Sequence, residues 1–174
     1  MINGQIEEAL NGHLNLELYS SYLYLSMSAW FQHTGLRGHA HWMRLQSGEE
    51  QGHVTRLYDY LLDRDGEVRL VGIAAPTYGW DSPLAAFEAA YAHEQDVTQR
   101  INGLVDMALE LRDHATHNLL QWFVQEQVEE EANVSEIVAR LRLVDGDARA
   151  LLMVDQELGA RKPAPAAPQA LPGA

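Results

Sequence analysis

The chain has 174 residues, a length that suits one well-cored domain and leaves little room for a second. Its formal net charge of -13 excludes a surface built to bind nucleic acid or an anionic membrane, and favours cations as partners. Because it has no cysteine, disulfides, thiolate metal sites and cysteine nucleophiles are excluded too. The sequence shows no signal-peptide pattern and no run of 18 apolar residues, so we expect a cytoplasmic protein with no membrane partner.

Two long amphipathic helices are predicted in the first part of the chain. Apolar residues at helical spacing predict the first over about 3–33, and Thr34 and Gly35 supply a stop signal. A second pattern covers about 37–64, and Gly66 is expected to take the left-handed conformation of a C-terminal cap. The loop between the two patterns is brief, so the helices should pack antiparallel.

Residues 65–81 form a connection that contains several glycines and a proline but shows no sustained helical period. A stretch of roughly 15 residues without secondary structure is unusual inside a compact domain. It is long enough, however, to travel the length of a neighbouring helix and reach its far end. The third helix is therefore predicted to run parallel to the second.

Three further helices are predicted after this crossover. Ser82 as N-cap and Pro83 in the first turn open a helix that continues to about residue 112. Another pattern covers about 114–143, and a short fifth helix covers about 147–158. The predicted fold class is all-α: a four-helix bundle with one long crossover connection and a short fifth C-terminal helix.

The predicted domain covers 1–158, and its last helix carries more apolar surface than a filled four-helix core needs. We interpret this surplus face as a subunit contact; its residues are Leu151, Val154 and Leu158. The remaining segment, 159–174, is rich in proline and alanine and buries too little surface to order itself. It is predicted to be a flexible tail.

Polar residues interrupt the apolar stripes near the middle of all four long helices. Residues in the middle of bundle helices meet at the same height whichever way each helix runs, so these side chains should share one buried layer. They are Glu17 on the first helix, Glu50 and His53 on the second, Glu94 on the third, and Gln127 and Glu130 on the fourth.

This layer predicts a metal site. One glutamate on an apolar stripe usually reaches water from the edge of the core. Four in one layer are different, because unpaired buried carboxylates cost several kcal/mol each and repel one another. No lysine or arginine lies on a stripe at this level, whereas two divalent cations would balance four carboxylates. The oxygen-rich ligand set with one imidazole suits iron or manganese, and is also compatible with Zn2+.

Two further features each have two interpretations. Glu49, Glu126 and Glu129 are next to the layer in sequence but point off the stripes, so they form either a solvated helix face or a third cation site. Tyr24 follows Glu17 by seven residues and is either a packed core tyrosine or a redox or hydrogen-bonding partner of the metals.

The sequence resembles the bacterial non-haem ferritins over roughly residues 1–158. Residues 121–131, QWFVQEQVEEE, are similar to the fourth-helix motif of that family, and residues 49–53, EEQGH, to its second-helix motif. Glu17, Tyr24 and Glu94 occur at matching offsets. The resemblance implies a ferritin-like bundle with a ferroxidase centre.

The same resemblance implies the roles of the individual residues. One iron is held by Glu17, Glu50 and His53. The other is held by Glu50, Glu94 and Glu130, with Gln127 alongside. An additional iron site maps onto Glu49, Glu126, Glu129 and Glu130. Tyr24 is expected to supply a further electron to the oxidant.

By resemblance, the chain oxidises Fe2+ with O2 or H2O2 and deposits ferric mineral inside a cage of 24 identical subunits. Haem is not expected, because Gln51 stands where the related bacterioferritins carry a haem-binding methionine, and Gln127-x-x-Glu130 replaces their Glu-x-x-His pair. Two alternatives are a storage subunit without catalysis and a di-iron peroxidase or oxygenase. The latter usually depends on an electron-transfer partner or a four-cysteine domain, and this chain has no cysteine.

Overall fold

The computed structural model describes residues 2–144 and 146–163, and within these ranges the chain is helical with no strand. Its five helices are α1 Gly4–Thr34, α2 Arg37–Asp63, α3 Pro83–Glu110, α4 His114–Val144 and α5 Ala148–Leu158. None of these helices combines the length and apolar character needed to cross a membrane. The all-α prediction is confirmed, with helix ends within about two residues of those expected. Residues 164–174 of the predicted tail lie outside the described residues.

The crossover runs along α1, as predicted. Asn15 of α1 donates a side-chain hydrogen bond to the Arg69 carbonyl (2.9 Å), and Ser26 donates one to the Thr77 carbonyl (2.9 Å). The connection therefore follows α1 from its first half to its second half. Because α2 packs antiparallel to α1, α3 starts at the end of the bundle where α2 starts, and the two run parallel.

The end of α2 differs from the prediction. Asp65, and not Gly66, takes the left-handed conformation, with φ 57°. The Gly66 N–H then donates to the Leu61 carbonyl at 2.8 Å, which closes the helix end as a Schellman motif does. Glycine is required at 66 for a different reason: a Cβ there would lie 2.9 Å from the same carbonyl oxygen.

Two apolar clusters fill the bundle above and below its middle. The α5-proximal cluster lies at the end covered by α5, and the α5-distal cluster lies at the other end. The former includes Tyr24, Phe31, Trp42, Phe87, Leu141 and Leu158. The latter includes Ile6, Leu10, Leu61, Ile101, Leu120 and Phe123. The predicted polar layer lies at the height where these two clusters meet.

The interpretation of the α5 stripe was wrong. Leu158 is buried, and Leu151 and Val154 pack against the α5-proximal cluster, so this face covers the open end of the bundle. The stripe thus has its partner within its own chain. The large apolar side chains that α5 leaves exposed are Leu152 and Met153.

The approach of α5 to the bundle depends on a glycine. A Cβ on Gly38 would lie 1.6 Å from the Asp155 carbonyl oxygen, so only glycine permits the observed packing. The Asp155 carboxylate accepts hydrogen bonds from the His39 backbone N–H (2.9 Å) and from its ring Nδ1 (2.6 Å). These contacts fasten α5 to the first turn of α2.

Candidate metal centre

The structure places all six predicted layer residues in the interior between the two apolar clusters. All six side chains are polar or ionisable, yet each is at most 6% exposed. They are Glu17, Glu50, His53, Glu94, Gln127 and Glu130. The stripes explain this burial, because each residue follows or precedes apolar neighbours by three, four or seven positions on its helix. The layer is therefore held in place by the same packing that holds the bundle together.

Three of these residues form the tightest group. Glu17, Glu50 and His53 each offer a ligand atom, and the three atoms lie within 4.8 Å of one another. His53 Nδ1 is 3.2 Å from Glu50 Oε2 and 3.9 Å from Glu17 Oε2. Among the described residues, no other set of three histidine, aspartate or glutamate side chains is so close. Two carboxylates and an imidazole at this separation are suited to hold a divalent cation.

Glu94 is fixed from two sides. The Tyr24 hydroxyl donates a hydrogen bond to Glu94 Oε1. Gln127 Nε2 donates to Glu94 Oε2 at 3.1 Å and to its backbone carbonyl at 3.2 Å. Tyr24 and Gln127 therefore both orient a carboxylate of the layer, which gives each a positioning role in addition to packing.

Glu130 and Glu50 are linked by a residue that the sequence reasoning missed. Gln46 Nε2 donates to Glu130 Oε2 at 2.6 Å and to Glu50 Oε1 at 3.3 Å. Arg161 Nη1 donates to Gln46 Oε1 at 3.0 Å. Because a guanidinium can only donate, Arg161 fixes the orientation of the Gln46 amide, and its NH2 group must face the two carboxylates.

Burial changes the protonation of the layer. Burial, together with the charges of neighbouring carboxylates, raises the pKa of Glu50, Glu94 and Glu130 to about 8 each. Burial alone would lower the pKa of His53, but Glu50 and Glu17 outweigh it and hold that pKa well above its usual value. The metal-free layer therefore holds protons at pH 7, and a cation that binds there displaces them.

Glu17 behaves in the opposite way. Burial acts to raise its pKa, but the close approach of His13 and His53 outweighs burial and holds the pKa of Glu17 well below its usual range. Glu17 is therefore the carboxylate of the layer that is ionised before any cation arrives. It supplies a fixed negative charge to the group formed with Glu50 and His53.

The second acidic group lies on the outside of the layer. Glu49 and Glu126 are partly buried, and Glu129 is exposed. Burial raises the pKa of Glu126, and the charges of Glu129 and Glu49 contribute to the increase, so the three carboxylates are near enough for their charges to interact. Glu49 Oε2 is also paired with Arg161 Nη2 at 2.6 Å. Part of the charge of this group is thus already balanced by the protein.

Comparison with known proteins assigns the chain and its fold to one family. A ferritin-like domain profile matches residues 7–144. The chain belongs to the ferritin family. It is 41% identical to the bacterial non-heme ferritin of Bacteroides fragilis over 161 residues, which are 92% of this chain and all of that protein. It is 39% identical to the corresponding Escherichia coli protein, covering 91% of this chain and 96% of the other. The resemblance to bacterial non-haem ferritins is confirmed.

Solved ferritin structures share the whole fold. The open-pore ferritin of the archaeon Archaeoglobus fulgidus is 50% identical, with a TM-score of 0.92, over 93% of this chain and all of that one. A humanized archaeal ferritin is 49% identical, with a TM-score of 0.94, over 95% of this chain and all of that one. The predicted ferritin-like bundle with its crossover and short C-terminal helix is therefore confirmed.

Two buried polar residues of this ferritin bundle were absent from the predicted layer. Gln46 precedes Glu50 by four residues, and His13 precedes Glu17 by four residues. Each also lies three residues after an apolar residue of its stripe, Leu10 or Met43. The alternating spacing of three and four along a helical stripe therefore marks both positions.

Proposed function

We propose that this ferritin subunit binds two Fe2+ ions in the buried layer, oxidises them with O2 or H2O2, and stores the ferric product inside a homo-oligomeric cage of 24 subunits. The observation that carries the proposal is the layer itself. Four glutamates are buried in one layer, and within the described residues no lysine or arginine bonds to any of them. Such a layer is a cost to the fold unless cations occupy it.

The side chains divide between two iron positions. Glu17, Glu50 and His53 hold the first ion, and Glu50, Glu94 and Glu130 hold the second, so Glu50 bridges the two. The closeness of the first three ligands supports the first position. Gln127 and Tyr24 support the second, because their hydrogen bonds orient Glu94. Hard carboxylate donors favour Fe3+ over Fe2+, which assists the oxidation.

The proposed reaction balances without a further cofactor. Two Fe2+ ions lose one electron each, and O2 takes both electrons and two protons to give H2O2; with H2O2 as oxidant, the same two electrons and two protons give water. Ionisation of Glu50, Glu94 and Glu130 when iron binds releases protons close to the oxidant, since burial raises the pKa of all three carboxyls to about 8. Reduction of O2 past H2O2 to water takes two more electrons; a third Fe2+ would supply one and Tyr24 the other, its hydroxyl proton passing to Glu94 Oε1, and a later Fe2+ would reduce the resulting tyrosyl radical. No haem takes part.

A third iron position is proposed at Glu49, Glu126, Glu129 and Glu130. The interaction of the Glu49 and Glu129 charges with Glu126 supports it. Because Arg161 pairs with Glu49, iron at this position has to share Glu49 with the guanidinium or displace it. Iron should therefore bind here more weakly than in the buried layer.

The relatives support the proposed storage cage. The chain covers the full length of the Bacteroides fragilis protein named as a bacterial non-heme ferritin, which supports storage as the function of the assembly. The net charge of -13 supports an interior that attracts iron and a surface with no affinity for nucleic acid or anionic membranes. We place the assembly in the cytoplasm.

The test compares Fe2+ oxidation by the wild type with that by the double variant Glu50→Ala, His53→Ala. Glu110→Ala serves as a matched control, because Glu110 is an exposed carboxylate at the end of α3. The double variant should lose fast oxidation, whereas the control should retain it, and all three proteins should elute as particles of several hundred kilodaltons. Wild-type oxidation by the double variant would refute the layer as the site. A monomer or dimer would instead favour an isolated di-iron peroxidase or oxygenase.

A further inference from the structure

His13 is a buried histidine next to the layer that the proposed iron positions do not use. It lies one helical turn before Glu17 on α1 and is 4% exposed. Its ring packs edge-on against Phe123, with the ring centroids 6.0 Å apart. Its Nε2 atom is 3.0 Å from Glu17 Oε1, and the two side chains project from the same face of the helix.

The polar atoms of this pair lack partners. Within residues 2–144 and 146–163, neither ring nitrogen of His13 and neither carboxylate oxygen of Glu17 has a hydrogen bond of good geometry. The other carboxylates of the layer do: Glu50 and Glu130 accept from Gln46, and Glu94 accepts from Tyr24. An unpartnered buried polar group costs about 1–3 kcal/mol. The pair therefore needs a binding partner that the protein itself does not supply.

The geometry of the contact indicates what that partner is. Although Nε2 and Oε1 are 3.0 Å apart, they are not aligned as a hydrogen bond. Two ligand atoms bound to one divalent ion at about 2.1 Å, and at right angles to each other, also lie about 3.0 Å apart, and both are directed at the ion instead of at each other. A close but misaligned His–Glu contact one helical turn apart is typical of two ligands of one cation.

We propose that His13 Nε2 and Glu17 Oε1 form a further binding position for a divalent first-row metal ion, adjacent to the group formed by Glu17, Glu50 and His53. Glu17 links the two positions, since its other oxygen, Oε2, faces His53. An imidazole and a carboxylate suit Fe2+ and Zn2+ alike. Only the identification of the bound ion as iron rests on the proposed function.

Anaerobic titration of the metal-free oligomer with Co2+ tests this position without any oxidation step. The bound ions are counted by calorimetry, and histidine coordination is followed in the visible spectrum. His13→Gln places an amide nitrogen near the position of Nε2, so it keeps a donor for Glu17 but removes the imidazole lone pair. His13→Ala removes both. His39→Gln is the matched control, because His39 is also fully buried but belongs to the α5-proximal cluster.

Both His13 variants should bind one Co2+ fewer per chain than the wild type, or bind it at least about tenfold more weakly, and should lose the corresponding spectral change. The control should match the wild type. If His13→Gln keeps the wild-type count and spectrum, His13 only orients Glu17 or packs, and the inference is wrong. If Co2+ binds as predicted but the wild type does not oxidise Fe2+ with O2, the proposed function is wrong, and the binding position at His13 and Glu17 is still supported.

Discussion

The α5-proximal cluster and the polar layer are built on the same four helices, one or two turns apart, but they obey different physics. In the cluster, Phe87 packs against Phe31 and Trp42 with ring centroids 5.8 and 5.3 Å away, and shape alone decides the fit. In the layer, Glu50 and Glu94 are equally buried but are arranged by charge and hydrogen bonds. The cluster stabilises the fold, whereas the layer costs stability unless cations occupy it.

The largest expected effect on stability comes from the cluster. Phe87→Ala removes a fully buried ring and leaves a cavity at the end of the bundle where α5 packs. We expect the free energy of unfolding to fall by about 3–5 kcal/mol. Metal binding in the layer should change little, because Phe87 contacts none of its ligands. Denaturant unfolding and a Zn2+ titration of the same preparation measure both quantities. An unchanged stability, or a large loss of Zn2+ affinity, would contradict the separation of the two regions.

The sequence predicted the cluster and the layer because both follow from helical periodicity. It did not predict contacts that depend on exact distances between elements. Whether Asp65 or Gly66 takes the left-handed position depends on how closely the chain approaches Leu61. The role of Leu158 depended on whether the end of the bundle was open. Arg161 was assigned to the tail, although its guanidinium reaches Gln46 and Glu49 in the structure.

A substitution in the polar layer, in contrast to Phe87→Ala, should lower metal affinity without lowering stability. Glu50→Gln replaces a carboxyl that burial keeps largely protonated at pH 7, since its pKa is about 8, with an amide of the same shape. At pH 7 the metal-free variant should therefore unfold at a higher temperature than the wild type, because the wild-type carboxyl has to take up a proton on folding and the amide does not. Affinity for Zn2+ should fall on the order of 100-fold or more, because Glu50 is proposed to ligate both ions. Glu110→Gln is the control, and a Zn2+ affinity within threefold of wild type for Glu50→Gln would exclude Glu50 as a ligand.

Substitution of Gly38 tests how closely α5 packs at the end of the bundle that holds the α5-proximal cluster. Gly38→Ala adds a Cβ only 1.6 Å from the Asp155 carbonyl, so α5 has to move away from α2. We expect a loss of about 1–3 kcal/mol, with the exposure of Trp42 rising as the end of the bundle opens. Gly48→Ala on the same helix meets nothing within 4 Å, and should raise stability by about 0.5–1 kcal/mol. Thermal unfolding and tryptophan fluorescence follow the two variants; equal effects of both would contradict the close approach of α5.

The contribution of any single group is smallest in the pH dependence of the metal-free protein. The pKa of Glu50, Glu94 and Glu130 is raised to about 8 in the folded state, against an unfolded value of 4.5. The folded state therefore holds more protons between these values, and its stability falls as pH rises from about 5 to 8. Each excess proton contributes up to about 1.4 kcal/mol per pH unit. The raised pKa of His53 acts in the same direction.

Unfolding temperatures measured across this pH range, with and without Zn2+, check that dependence. The metal-free wild type should lose stability with rising pH, and Zn2+ should reverse the trend because it replaces the protons. The triple variant Glu50→Gln, Glu94→Gln, Glu130→Gln should be nearly independent of pH over the same range. Stability of the metal-free wild type that rises between pH 5 and 8 would show that the layer is ionised without a cation.

The most direct test of the central claim, that the buried layer oxidises iron, is a single turnover. The metal-free protein is loaded anaerobically with increasing Fe2+ and then mixed rapidly with O2, and the fast formation of Fe3+ is followed by absorbance. The fast phase should grow until two Fe2+ per chain have been added and then stop growing, and it should be absent from the Glu50→Ala, His53→Ala variant. Slow oxidation in proportion to all added iron, at the rate seen without protein, would contradict the claim and leave the layer as a site that binds metal without oxidising it.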